Sequence, residues 1–176
     1  RFVKNRGYAL DPRAARIMEQ RASEKGVMLH LESNIGMDQS LKLTNYPDLL
    51  TSTALTNPYT QNTGYIALIT QEELMFIKAE AQYWAGDIAG AYETTKAATK
   101  FNMERYGLLE AEILSGARGG DLKNQYNRFF NIKLSGATKF DISDLMQQKY
   151  VAMYLQPEQW TDMRRYNYSS SKNGIA

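Results

Sequence analysis

The chain contains no cysteine and only one histidine. The lack of cysteine excludes disulfides, thiolate metal sites and a cysteine nucleophile from this chain. His30 has a single neighbouring carboxylate, Glu32, which is too small a ligand set to predict a metal site or an acid–base pair. We therefore predict neither a metal nor a cofactor.

An excess of charge of one sign and a long apolar run are also missing. There are 21 lysine and arginine residues against 19 acidic residues, and the two signs are interspersed. This balance gives no electrostatic support for nucleic-acid binding, and no nucleic-acid partner is predicted. The longest apolar stretch, residues 65–69, is far shorter than the roughly 20 residues of a membrane-spanning helix. Since apolar residues make up 43% of the chain, we expect it to fold.

Turn-forming residues mark two loop-rich stretches. Residues 1–64 predict long ordered loops, with one short helix at 12–25 between a capping Asp11 and Gly26. Residues 108–140 predict a loop-rich insert with at most one short helix, because four glycines interrupt them: Gly116, Gly119, Gly120 and Gly136.

Residues 65–107 predict two helices joined by a tight turn. Thr70 and Glu73 have the spacing of a capping box, Gly86 ends the first helix, Asp87 caps the second, and Gly107 ends it. We expect a buried apolar face on each helix. These faces are Leu74, Ile77, Ala81 and Trp84, and then Ile88, Ala91, Tyr92, Thr95, Ala98 and Phe101.

Residues 141–176 predict the C-terminal helices. One begins at Asp141 or Ser143 and extends to about residue 155, and Pro157 opens another that ends at Arg165. The candidates for burial in the first are Leu145, Tyr150, Met153 and Tyr154. Trp84 and Trp160 are both spaced as core residues, so we interpret them as packing rather than ligand-binding positions. The predicted fold class is all-α.

Several motifs carry a resemblance to known proteins. Ala79, Gly86, Ala91 and Ala98 are placed as the small residues of a tetratricopeptide repeat, although an array needs at least about three copies. Asp11-Pro12-Arg13, residues 68–81 (LITQEELMFIKAEA) and residues 147–155 with 158–165 (QQKYVAMYL and EQWTDMRR) resemble, in order, three motifs of the SusD/RagB family. The resemblance covers residues 11–168. The sequence departs from the family pattern in residues 108–138 and at Gln156-Pro157. At Gln156-Pro157 the family pattern leads us to expect a Gly or Asn-Gly turn.

The resemblance implies both a fold and a function. The chain, residues 1–176, would be the C-terminal part of a single SusD-like domain, with a tetratricopeptide-like hairpin, C-terminal helices and long ordered loops. The protein would be a surface-exposed lipoprotein of the outer membrane of Bacteroidetes-type bacteria, anchored by a lipid outside this chain. It would bind oligosaccharide or another nutrient without catalysis and deliver it to a SusC-like TonB-dependent transporter.

The loops contain the candidate ligand-binding residues. Sugar binding needs flat apolar faces surrounded by amides and carboxylates. Tyr46, Tyr59 and Tyr65, with Asn57 and Asn62, supply such groups in a loop context. The alternative interpretation is that these tyrosines anchor the loops to the helices.

Charged residues allow other functions. Glu72, Glu73, Glu80, Glu158 and Asp162 could be combined into a glycosidase pair, but we interpret them as helix caps and solvated surface groups. Arg164 and Arg165 beside Asp162 could bind an anionic ligand, but in the family they resemble ion-pair ties between the last helix and the core, and we favour this structural role. We predict that the chain is not an enzyme; the alternatives are a tetratricopeptide adaptor that binds protein and a glycoside hydrolase.

Overall fold

A computed structural model describes residues 11–17 and 67–166 of the chain. These residues form helices and contain no strand, which confirms the all-α prediction. The helices are α1 (Ala14–Ile17), α2 (Gln71–Trp84), α3 (Ile88–Arg105), α4 (Glu110–Ser115), α5 (Gly120–Lys133), α6 (Ile142–Ala152) and α7 (Glu158–Arg165), with a 3-10 turn at Ala137–Lys139. The helix predicted at residues 12–25 lies largely outside the described residues.

The chain forms two compact units, Arg1–Tyr65 with Tyr106–Phe129 and Ile66–Arg105 with Phe130–Ala176. In the first unit the Asp11-Pro12-Arg13 motif is buried. The guanidinium of Arg13 donates to both carboxylate oxygens of Asp11, at 3.0 and 2.7 Å, and lies 5.7 Å from the centroid of the Phe129 ring. The fully buried Arg13 cation is therefore compensated by an ion pair with Asp11 and by a cation–π contact with Phe129.

The stretch predicted as a loop-rich insert is more helical than expected. It contains α4 and α5, and its glycines lie at helix ends. Gly116 follows α4 with φ +82°, and Gly119 immediately precedes α5 with φ +96°. Glycine favours this left-handed backbone, which commonly terminates a helix. The glycines thus separate helices instead of marking a long loop.

The start and end of α2 follow the sequence prediction. The hydroxyl of Thr70 accepts the backbone N–H of Glu73 at 3.2 Å, and the Glu73 carboxylate accepts the N–H of Thr70 at 3.4 Å. The chain then turns at Gly86, where φ is +87°. Asp87 accepts the N–H of Gly90 at 2.8 Å and caps α3. The capping box and the tight turn are confirmed.

The predicted buried face of α2 is wrong. Leu74, Ile77 and Trp84 are 56%, 48% and 61% exposed, whereas Phe76 and Ala79 are completely buried. The helix carries apolar residues on more than one face, so apolar periodicity alone could not choose between them. On α3 the prediction holds better: Ala91, Tyr92, Thr95 and Ala98 are buried, and Ile88 and Phe101 are partly buried.

The core of the second unit lies where α2, α3 and α6 meet. Ala79, Ala91 and Ala98 are fully buried, so the helices can approach closely at these small residues. The Phe140 ring packs edge-to-face with Tyr83 and Tyr92, at centroid distances of 6.3 and 5.7 Å. Other members of the core are Phe76, Leu134, Ile142, Leu145, Met146 and Ala152. Each large side chain buried in this way contributes about 1.5–3 kcal/mol.

Helices α6 and α7 begin where expected. Asp141 caps α6 by accepting the N–H groups of Ser143 and Asp144, at 2.8 and 3.1 Å, and Pro157 directly precedes α7. Leu145 and Met153 are buried as predicted, whereas Tyr150 is 45% exposed and Tyr154 is only partly buried.

The turn between α6 and α7 uses an unusual residue. Leu155 has φ +63°, a left-handed conformation that costs a non-glycine residue about 1 kcal/mol. We expected a Gly or Asn-Gly turn here from the family resemblance. The chain makes the turn with a leucine that is 51% exposed, immediately before the Gln156-Pro157 departure.

Candidate functional site

The sequence-predicted ligand residues Tyr46, Tyr59, Tyr65, Asn57 and Asn62 lie outside the described residues, as do His30 and Glu32. Their assignment therefore remains a prediction.

Within the described part of the second unit, charged and aromatic residues gather around the end of α2. We define the C-terminal cluster as Glu80, Lys149, Asp162, Arg165 and Tyr166. Arg165 donates to Glu80 at 2.9 Å and to Asp162 at 2.7 Å, and Lys149 pairs with Asp162 at 2.6 Å. The Tyr166 hydroxyl donates to Glu80. The predicted role of Arg165 as an ion-pair tie between the last helix and the core is confirmed.

The cluster favours its ionised carboxylate and its neutral phenol. Burial acts to raise the pKa of Glu80, but hydrogen bonds from Arg165 and Tyr166 and the charges of Arg165 and Lys149 outweigh it, so the pKa is lowered. Burial, followed by the bond to Glu80, raises the pKa of Tyr166 to about 12. The bond to Glu80 also raises the pKa of Arg165 above its already high value. Glu80 is thus held as an anion, and Tyr166 is held as a neutral phenol that donates a hydrogen bond to it.

Trp84 lies at the edge of this cluster. Its indole N–H donates to the Tyr166 hydroxyl at 3.3 Å, and its ring meets Tyr83 edge-to-face at a centroid distance of 5.4 Å. The ring is nevertheless 61% exposed, and Trp160 on α7 is 58% exposed. The sequence interpretation of both tryptophans as core residues is therefore wrong.

A second ion pair joins α2 to α3. The Glu72 carboxylate is completely buried and accepts from Arg105 at 2.8 Å and from Asn102 at 3.3 Å. Glu72, Glu80 and Asp162 are thus buried and paired, which corrects their interpretation as caps or solvated groups. Glu73 is the predicted cap, and Glu158 is exposed. Sequence reasoning missed the pairs because the partners of Glu72 and Glu80 lie 33 and 85 residues away.

A small depression lies in the second unit, beside α6, α7 and the turn between them. Met146, Tyr150, Met153, Gln159 and Asp162 line it, and it encloses about 200 Å³ of space open to solvent. Typical small-molecule sites enclose about 300–1,000 Å³. This depression is therefore too small to enclose an oligosaccharide.

Among residues 11–17 and 67–166, no group of three or more histidine, aspartate or glutamate side chains is arranged to hold a metal ion. None of the helices in these ranges combines the length and apolar character needed to span a membrane.

The chain matches a family model over residues 2–175. The model is that of a SusD-like family, described as starch-binding and associating with the outer membrane. Comparison with curated proteins and with solved structures gave no match. The family match extends over nearly the entire chain and covers every residue that the structure describes. The chain therefore belongs to the SusD-like family of starch-binding proteins that associate with the outer membrane.

Proposed function

We propose that the protein captures starch-type oligosaccharide at the cell surface and delivers it, without cleavage, to a SusC-like TonB-dependent transporter. The observation that carries this proposal is the family match over residues 2–175. Under the proposal the protein is a lipoprotein of Bacteroidetes-type bacteria, and this chain is the C-terminal part of its single domain, with a tetratricopeptide-like hairpin.

The chemistry of Glu72, Glu80 and Asp162 supports a non-catalytic role for these three groups. A glycosidase needs one carboxyl group that can donate a proton and a second that can attack or activate water. Glu72 is paired with Arg105, and Glu80 and Asp162 are paired with Arg165. Such pairing engages the carboxylate oxygens in contacts that hold the helices in place. We assign these groups to the scaffold.

We assign ligand binding to Tyr46, Tyr59, Tyr65, Asn57 and Asn62. Tyrosine rings can stack on sugar rings while the neighbouring amides bond to hydroxyl groups. Binding residues are often carried on loops that a rigid scaffold positions.

Retention of the intact protein on native gels cast with soluble starch, and with other polysaccharides as a panel, tests the capture step. We expect starch to slow migration and Tyr59→Ala to reverse most of that effect, with Tyr59→Phe as the control that keeps the ring. Unchanged migration on every polysaccharide would contradict glycan capture and favour the protein-binding adaptor. Unchanged retention of Tyr59→Ala would remove this residue from the site.

Two further assays test the other parts of the proposal. Incubation with starch should release no reducing ends, and sustained release would establish hydrolysis. Purification from outer membranes should bring a TonB-dependent transporter with the protein. Its absence under conditions that preserve membrane complexes would contradict the delivery step.

A further inference from the structure

We propose that the exposed ring of Trp84 is an additional glycan contact, on which a glucose ring of the captured chain stacks. The inference rests on the proposed function, because it takes an α-glucan as the ligand. Trp84 ends α2 and is 61% exposed. An exposed aromatic ring offers a flat apolar face on which the C–H face of a sugar can stack.

The indole is held in one orientation by two contacts. Its N–H donates to the Tyr166 hydroxyl at 3.3 Å, and the Tyr83 ring packs against it at an interplanar angle of 88°. A tyrosine hydroxyl can donate one hydrogen bond and accept others, so Tyr166 can bond to Glu80 and Trp84 together. A ring fixed before binding loses little conformational entropy when a ligand stacks on it.

Polar groups lie close to the ring, as sugar recognition requires. The guanidinium of Arg165 lies 4.9 Å from the centroid of the Tyr166 ring, and its side chain is 46% exposed. Tyr166 itself bonds to Trp84. An apolar ring bonded to a tyrosine hydroxyl, with a partly exposed cation over the ring of that tyrosine, suits the two kinds of surface on a glucose unit, the C–H face and the hydroxyl groups.

The chain offers a matched control. Trp160 is exposed to nearly the same extent, 58%, and lies on α7. In native gels containing amylopectin, we expect Trp84→Ala to weaken the apparent affinity of the intact protein about tenfold, the range of a lost aromatic contact. Trp160→Ala should change it less than about twofold, because its loss removes the same residue type without touching the Trp84–Tyr166 pair.

A spectroscopic measurement separates binding from structural damage. Trp84 and Trp160 are the tryptophans of residues 1–176, so a change in emission on titration with maltoheptaose that occurs in wild type and in Trp160→Phe, but not in Trp84→Phe, reports on Trp84. Tyr166→Phe removes the hydroxyl that fixes the indole. We expect it to weaken binding about threefold while the helical circular dichroism is retained, which would define Tyr166 as a positioning residue.

The outcomes are distinguishable. Retention of wild-type protein with loss in Trp84→Ala, together with an emission change on titration, would support the inference. If Trp84→Ala failed to fold, the emission titration would decide. Equal retention of wild type and Trp84→Ala without an emission change would overturn the inference and leave the proposed function standing. Absence of wild-type retention would overturn the proposed function and the inference with it.

Discussion

The two ends of helix α2 bury carboxylates in different ways. Near its start, Glu72 is 0% exposed and bonds to Arg105 and Asn102 of the adjacent helix α3. Near its end, Glu80 is 7% exposed and bonds to Arg165 and Tyr166 from the C-terminal residues of the described chain. The Glu72–Arg105 pair joins α2 to α3, and the Glu80–Arg165 pair joins α2 to α7.

The two ties also differ in their access to water. The side chain of Arg105 is 16% exposed, whereas that of Arg165 is 46% exposed. Charges interact more strongly, and cost more to leave unpaired, where water is scarce. The comparison therefore predicts that the start of α2 is the more sensitive to loss of its carboxylate.

Glu72→Ala should give the largest effect. The substitution removes a fully buried carboxylate and its bonds to Arg105 and Asn102, and we expect the free energy of unfolding to fall by about 3 kcal/mol. Urea unfolding followed by circular dichroism would measure the change. Glu93→Ala, on the exposed surface of α3, is the control and should change stability by less than about 0.5 kcal/mol. Similar losses in both variants would refute the burial argument.

Glu80→Gln should cost about 1–2 kcal/mol. The amide keeps the shape of the side chain but loses the charge that binds Arg165, and solvent screens part of that interaction. The same urea experiment checks the value, with Glu104→Gln on the exposed part of α3 as the control. A loss larger than that of Glu72→Ala would reverse the order of the two ends.

The difference between wild type and Glu80→Gln should depend on pH. Because the pKa of Glu80 is lowered from its ordinary value of 4.5, its ionised form stabilises the fold above that value. The stabilisation is lost as the pH falls through the lowered pKa. Urea unfolding of both proteins between pH 7 and pH 3 should therefore show a gap that is constant above about pH 5.5 and narrows below 4.5. A gap that widens on acidification would contradict the lowered pKa.

Thr70→Ala should give the smallest loss, about 1 kcal/mol, because it removes one half of the capping box at the start of α2. Thr70→Ser keeps a hydroxyl and should be close to wild type. Thermal unfolding would detect the difference. Equal losses in the two variants would show that the methyl group, and not the hydroxyl, stabilises this end.

Local signals made most of the helix ends predictable. Thr70 with Glu73, Asp87, Asp141 and Pro157 each act within a few residues of their own position, and the structure bears each of them out. The glycines after residue 108 misled the prediction because a glycine that ends a helix and a glycine in a loop leave the same pattern.

Side-chain partners could not be predicted in the same way. Glu72 and Glu80 stand on α2 beside Phe76 and Ala79, on the side that packs against other helices. Nothing near them in sequence shows that Arg105 and Arg165 will neutralise them. The exposure of Trp84 escaped prediction for the related reason that α2 has apolar residues on two faces, and only its neighbours in space select one.

The separation of Glu80 from its partners has a consequence for how the chain acquires its structure during synthesis. Glu72 and Arg105 are 33 residues apart, so the hairpin can close soon after α3 has been made. Glu80 must wait for Arg165 and Tyr166, 85 and 86 residues later. Until those residues leave the ribosome, the end of α2 presents an unmatched carboxylate and an indole with no hydroxyl to bond. The order of translation therefore makes this end of the helix the last to be completed.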